Sequence, residues 1–290
     1  MKNIWKIIIA LPVAVVLISG GAIMYTHFHG RIIPIVSSHA FDEIPSEQRT
    51  ISDPVSTSTF PYITKYHDAV VLKKVNDQLS KLVSEGLCSS SFSDTYSLDD
   101  LRSELAQGYG TDKTYTKAQI ARMTEGELMK ALNWEADTEA STTYAKNDIF
   151  SFTYTYDSYC GGAHPDNGEA GATFDMKTGK LVQFKDLLEW PKKDHDAIVN
   201  ILYADYKKEY ESTPGYNPKT DSTCPGDLRP ENGYSDNFDP EYVSYFISDK
   251  GLTVIPSLPH VIEACSLEIP VPLAQIQPYL AKDSILNRMH

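Results

Sequence analysis

The stretch Tyr159-Cys160-Gly161-Gly162-Ala163-His164-Pro165 holds the residue types of this chain best suited to chemistry. A histidine titrates near neutrality and can serve as a base or a hydrogen-bond switch. Two adjacent glycines allow backbone conformations that other residues avoid. The candidate binding loop is therefore Tyr159, Gly161, Gly162, His164 and Asp166. Cys160 with His164 would be a nucleophile and base only if the fold brought them together, and an oxidising compartment favours a disulfide for Cys160. No second acid or nucleophile stands beside them in the sequence, so the plainer reading is a turn in which His164 makes a local hydrogen bond.

Other motifs fail on spacing. Thr178-Gly179-Lys180 invites a phosphate-loop reading, but Phe174 stands where that loop needs glycine and Leu181 where it needs Ser or Thr. Gly108-x-Gly110 lacks the third glycine of a dinucleotide fingerprint. Neither H-E-x-x-H nor G-x-S-x-G occurs. Asp227, Glu231, Asp236, Asp239 and Glu241 form an acidic loop without calcium-loop spacing, read as a solvated surface. Asp194-His195-Asp196 reads as the polar first turn of a helix. His260, between Pro259 and Val261, shows no partner in the sequence. Phe150, Phe152, Tyr154 and Tyr156 could stack on glycan, although a half-buried sheet face is the commoner use of such a stripe. No catalytic residue, metal site or cofactor is assigned.

The elements that must position these residues begin with a positively flanked apolar run. Lys2 and Lys6 precede Ile7–Tyr25. At about 1.5 Å per residue such a run spans roughly 28 Å, enough for a bilayer core. Residues 1–29 are expected to be a signal anchor or a signal peptide cut near Ala22, with the inner membrane contacted through residues 7–25. Only six residues precede the run, which leaves no sizeable cytoplasmic segment. Three Pro and many Ser/Thr predict a linker over residues 30–58.

Periodicity predicts helices over residues 68–84, 97–105, 117–132, 194–211 and 273–280. Ser97-x-x-Asp100 marks a capping box. Strands are expected at residues 60–63, 149–156, 172–176, 180–184, 242–248, 252–256 and 263–271. Residues 212–240 read as a long loop. Helices first and mainly strands later give an α+β fold: an antiparallel sheet with helices packed on one face, preceded by a single N-terminal membrane helix. Cys88, Cys160, Cys224 and Cys265 contain no C-x-x-C, and in an exported chain they suggest two disulfides in any of three pairings.

Tyr159–Pro165, then Phe174-Asp-Met-Lys-Thr-Gly-Lys180 and Asp186-Leu-Leu188, resemble the RsiV-like/PdaC-like extracytoplasmic envelope domain family. Phe246-Ile-Ser-Asp-Lys-Gly-Leu252 and Ile269-Pro270 echo its C-terminal segments, and Phe60-Pro61-Tyr62-Ile63 with Val75-Asn76 looks like its small N-terminal partner domain. Leu188, Val271, His260 and Cys160 depart from its pattern. The resemblance implies a small α+β subdomain over residues 59–135 and an RsiV-like α+β domain over 136–290, outside the membrane. It also implies lysozyme sensing or an accompanying wall deacetylase in some members.

The chain is acidic, with 39 Asp/Glu against 26 Lys/Arg and a formal charge of −13. All the acids follow Phe41, so the folded part carries the whole negative excess. Such a surface repels nucleic acid and favours a basic partner. The expected function is a membrane-tethered binding protein of the bacterial cell envelope, in the periplasm or otherwise outside the cytoplasm, or secreted if cleaved. Its partner would be a basic protein such as lysozyme, or cell-wall glycan. A wall hydrolase or deacetylase acting through His164, and a purely structural envelope protein, are the alternatives.

Overall fold

A computed structural model of the 290-residue chain describes residues 23–28, 31–36, 44–84, 88, 97–109, 111, 113–161, 165–189, 194–213, 217, 228, 230, 235–258 and 265–289. Two compact units result, residues 1–42 and 43–290. In the first, β1 (Ile23–Phe28) and β2 (Arg31–Val36) form an antiparallel hairpin. Residues 7–22 of the expected membrane helix lie outside the described residues, while residues 23–25 are strand. Among the described residues no helix is long and apolar enough to cross a membrane.

The expected linker over residues 30–58 is instead partly strand. Arg31–Val36 is β2, and β3 (Ser46–Ser52) pairs antiparallel with β4 (Ser56–Ile63) along its whole length. Ile32, Ile33, Ile35 and Val36 are β-formers. Nearly all of β3 is exposed, so it carries no apolar period to betray it.

β3 and β4 open a six-stranded sheet of order β3-β4-β5-β6-β7-β8, with β5 (Glu135–Lys146), β6 (Ile149–Tyr159), β7 (Asp166–Asp175) and β8 (Lys180–Val182). Only β4–β5 is parallel. The sheet runs through the boundary expected between residues 135 and 136, so residues 43–290 are not split there.

Helix α1 (Ala69–Ser84) follows β4 in the chain and packs against it. Asp68 caps it by accepting from the amides of Val70 and Val71, and Val71, Val75, Leu79 and Val83 form its buried stripe. Ser58 Oγ donates to the Val83 carbonyl, which fixes the face of β4 that α1 covers. Register places Thr138, Phe150, Phe152 and Phe174 on that same face, and all four are buried.

A smaller helical group follows. α2 (Leu98–Gln107) starts at the Ser97–Asp100 capping box and stops at Gly108, whose φ is 80°. The single helix expected over 117–132 is two, α3 (Lys117–Ile120) and α4 (Glu125–Ala131). A capping box of Thr124 with Glu127 restarts the chain there and divides it. Leu101, Leu105, Ile120, Leu128 and Met129 bury together with Trp134 and Cys88.

The C-terminal half adds α5 (His195–Ser212) and a three-stranded sheet of β9 (Ser244–Ser248), β10 (Gly251–Ile255) and β11 (Ile269–Val271), ordered β11-β10-β9. Short α6 (Leu273–Ile276) and two 3-10 turns end the chain. Ile198, Val199, Leu202 and Tyr206 of α5 pack with Ile247, Val254 and Ile269, and with Tyr144 and Ile149 of the larger sheet. A bulge between Thr142 and Tyr144 turns Tyr144 into this second core. The α+β class stands, but helices do not simply line one face: a second sheet meets the face opposite α1.

β9 crosses β7 at very close range. A Cβ on Gly171 would lie 2.5 Å from the carbonyl carbon and oxygen of Tyr245. Ser151 Oγ accepts from the Ile247 amide at 2.8 Å, and Ser244 Oγ accepts from the Gly171 amide at 3.2 Å. The second sheet thereby covers one half of this face and leaves the other half open.

Candidate functional site

The candidate loop lies at the end of a hairpin. β6 and β7 pair from Ile149↔Asp175 to Ser158↔Asp166, and the chain turns between them. Cys160 at the turn is disulfide-bonded to Cys88, with Cα atoms 5.1 Å apart. Gly161 has φ 91°, a left-handed conformation that suits glycine. Tyr159 and Cys160 pack on the core of α2–α4, so the bond ties the hairpin end to the helical group. Asp166 is exposed at the start of β7, where its carbonyl accepts from Ser158 Oγ. Gly162 and His164 lie outside the described residues, as do Cys224 and His260. Cys265 is disulfide-bonded too.

The Phe174–Lys180 motif serves as a clamped turn. Asp175 accepts from the Lys177 amide and from Thr178 Oγ1, and its carbonyl takes the Gly179 amide. Arg288 near the C-terminus donates to Asp175 at 2.7 Å. Lys74 and Gln78 of α1 donate to the carbonyls of Thr178 and Gly179. These contacts tie the turn to α1 and to the C-terminal segment. Beside it Tyr66 donates to Asp148 at 2.8 Å, and burial followed by that carboxylate pushes the phenol well above its ordinary range.

His195 is likewise structural. Its Nδ1 lies 3.0 Å from Asp196 and its Nε2 2.9 Å from Asp239. These two carboxylates raise its pKa, and the clamp joins the start of α5 to the 3-10 turn Ser235–Phe238. Asp239 and Glu241 from the expected acidic loop are therefore in use, with Glu241 also 3.8 Å from Lys185. Among the described residues no group of three or more His, Cys, Asp and Glu is placed to hold a metal ion.

The aromatic stripe divides along its length. Phe150 and Phe152 are buried and Tyr154 and Tyr156 half-buried, all on the α1 face. This is the half-buried sheet face that the alternation allows, and the four rings do not form one open platform.

The open half of the opposite face is what the sequence reading missed. Alternation in β5 buries Ala136, Thr138 and Ala140 and exposes Glu135, Asp137, Glu139 and Ser141. Register sets Asp137 directly opposite Asp157 on β6, and Glu139 opposite Thr155, which in turn faces Glu169 on β7. Ser141 faces Thr153. On the other side Thr57 and Thr59 of β4 adjoin Asp137 and Glu139, and Thr50 Oγ1 of β3 lies 3.2 Å from Thr59 Oγ1. Gln48 closes the row by donating to the Ala140 carbonyl at 3.2 Å.

The result is a surface of hydroxyls and carboxylates on strands about 4.8 Å apart. Like charges set directly across a ladder destabilise it, so Asp137 opposite Asp157 costs the fold something and gives it no packing in return. Glu169 sits at the rim, partly buried against Glu268. Burial first, then the charge of Glu268 and a hydrogen bond to it, raise the Glu169 carboxyl to about 7. Chemically the face offers acceptors and negative charge at fixed spacing. It pairs no nucleophile with a base.

Residues 50–167 match a protein-family model described as "Deacetylase PdaC". The match starts within β3 and ends within β7, so it takes in Asp137, Glu139 and Asp157 of the acidic face and the hairpin end. Among solved structures, a DUF3298-family member from Bacteroides fragilis is 15% identical with a TM-score of 0.49, covering 85% of this chain and 96% of that one. A DUF3298-family protein from Pseudomonas aeruginosa is 12% identical with a TM-score of 0.47, covering 85% and 98%. No curated protein matches this chain. The PdaC-like part of the expected resemblance thus has a match of its own, over residues 50–167.

Proposed function

We propose that this protein is an extracytoplasmic binding module of the cell envelope whose open sheet face docks a basic protein, with lysozyme as the model partner. The observation that carries the reading is the register: Asp137 against Asp157, with Glu139 and Glu169 one step along the same ladders. Rigid neighbouring carboxylates attract Lys and Arg groups and speed encounter. The face ends near the Cys160 turn, so Tyr159, Gly161 and Asp166 of the RsiV-like loop would flank the same partner. The apolar N-terminal run and the disulfides suit an exported protein, anchored or released.

Calorimetric titration with lysozyme at low and high salt tests the reading. Binding should weaken steeply with salt and fall at least about tenfold in Asp137→Asn/Glu139→Gln/Asp157→Asn. Undiminished binding by that triple variant would remove the face from the account.

The family description over residues 50–167 favours a second reading, a deacetylase or hydrolase of wall polymers. Acetate release or clearing of purified wall material, abolished by His164→Ala, would support it. Activity unchanged by that substitution would dismiss His164 as its base.

A further inference from the structure

β3 is an edge strand without the lysine, proline or bulge that commonly guards one. Edge strands are commonly kept short, or carry lysine, proline or a bulge that blocks pairing with another chain. The opposite edge, β8, is only three residues long. β3 runs for seven residues, pairs with β4 in unbroken register and contains neither proline nor lysine. Among the described residues no strand lies on its outer side.

The outward-facing backbone groups can be identified. Pro61 has no N–H, and the Ile63 amide and carbonyl are taken by the Asn76 side chain. The Thr64 amide reaches the Pro45 carbonyl, and the Asp53 amide reaches the Ser56 carbonyl. The even-numbered residues of β4 therefore bond β3, and they stand opposite the odd-numbered ones, Glu47, Arg49 and Ile51. Ser46, Gln48, Thr50 and Ser52 direct their N–H and C=O groups away from the sheet.

We infer that two copies of this chain pair antiparallel through β3, in a register centred on Gln48. Only a register that sets even residues against even residues bonds the two edges. Centring on Arg49 opposes two arginines, and centring on Glu47 opposes two glutamates. Centring on Thr50 sets Glu47 against Asp53 of the other copy. Centring on Gln48 sets Glu47 of each copy against Arg49 of the other, and Ser46 against Thr50. The two-fold axis makes both ion pairs at once, as an isologous contact requires. Both side chains are available for it: Arg49 and Glu47 already pair with each other at 2.9 Å and are 46% and 52% exposed. Arg49 is also held over the Tyr62 ring, which limits the rotamers it can adopt. The joined sheet would be twelve strands wide, with an acidic face on either side of the axis. This inference stands apart from the partner proposed above and holds whether or not lysozyme binds.

Sedimentation velocity of the full chain in a mild non-ionic detergent, over a wide concentration range, tests it. The wild-type chain should show a concentration-dependent dimer. Glu47→Arg alone and Arg49→Glu alone should each raise the dissociation constant about tenfold or more, because each puts like charges across the axis. The double swap Glu47→Arg/Arg49→Glu should restore it to within about threefold. Gln48→Pro should also abolish pairing while leaving the β4 ladder intact, since the lost N–H faces outward. A monomer at every concentration, single reversals that leave a dimer unchanged, or a double swap that fails to restore it would each overturn the inference.

Discussion

Glu169 ties the acidic face to the stability of the fold. Its carboxyl is raised to about 7, by burial first and Glu268 second, while in an unfolded chain it would titrate near the ordinary value of 4.5. Between those values the folded state holds more protons, so stability falls as pH rises from about 4.5 to 7. His195 acts in the same direction at higher pH. Its raised pKa contributes stability that is complete below 6.5 and is lost as pH climbs through the folded value. Glu169→Gln should flatten the denaturant midpoint against pH between about 5 and 7. A slope as steep as that of the wild type would contradict the assignment. Asp137→Asn removes one member of a like-charged cross-strand pair and should stabilise the fold by about 0.5 kcal/mol at low salt. An unchanged or lower midpoint would show that the two carboxylates do not repel. Little of this was legible from residue types. His195 looked like a helix first turn because its second partner, Asp239, is 44 residues away. Glu169 was one acid among 39 until the fold set Glu268 against it.

Elements with a strong period or a local capping signal could be read directly. α1, α2, α5 and β6 fall where apolar spacing, Ser97 and the aromatic alternation put them. β5 escaped notice because its buried residues are Ala136, Thr138 and Ala140, too small and polar to read as a core stripe. β3 escaped because, as an exposed edge, it has no buried side to advertise. β5 carries Asp137 and Glu139 and β3 adds Gln48 and Thr50 beside them, so the candidate surface was hidden. Two element-level tests follow from the packing. Gly171→Ala forces a methyl group to within 2.5 Å of the Tyr245 backbone and should cost about 2–3 kcal/mol in urea unfolding; a loss below about 0.5 kcal/mol would mean that β7 and β9 part easily. The Cys88–Cys160 bond closes a span of 72 residues, and Cys88→Ala/Cys160→Ala should cost about 3 kcal/mol. Removing the bond should also loosen Tyr159 and Gly161, measurable as faster amide exchange at the hairpin end.

At the scale of the molecule, composition foretold the class and the sign of the charge but not their arrangement. Helices before strands signalled α+β, yet the sheet continues through the boundary expected at residue 135 and a second sheet meets its face. Whether one face is shared by helices, by another sheet or by solvent depends on contacts far apart in sequence, such as Ser151 with Ile247. The charge of −13 could have been spread evenly. Instead, part of it is aligned on three neighbouring strands, where repulsion is paid for only if something cationic lands there. The most direct test is the affinity for lysozyme as a function of salt, measured for the wild type and for Asp137→Asn/Glu139→Gln/Asp157→Asn. The account predicts tight binding at low salt, a steep loss with salt, and a weaker affinity with a shallower salt slope in the triple variant. Equal affinity and equal slope for the two proteins would contradict it.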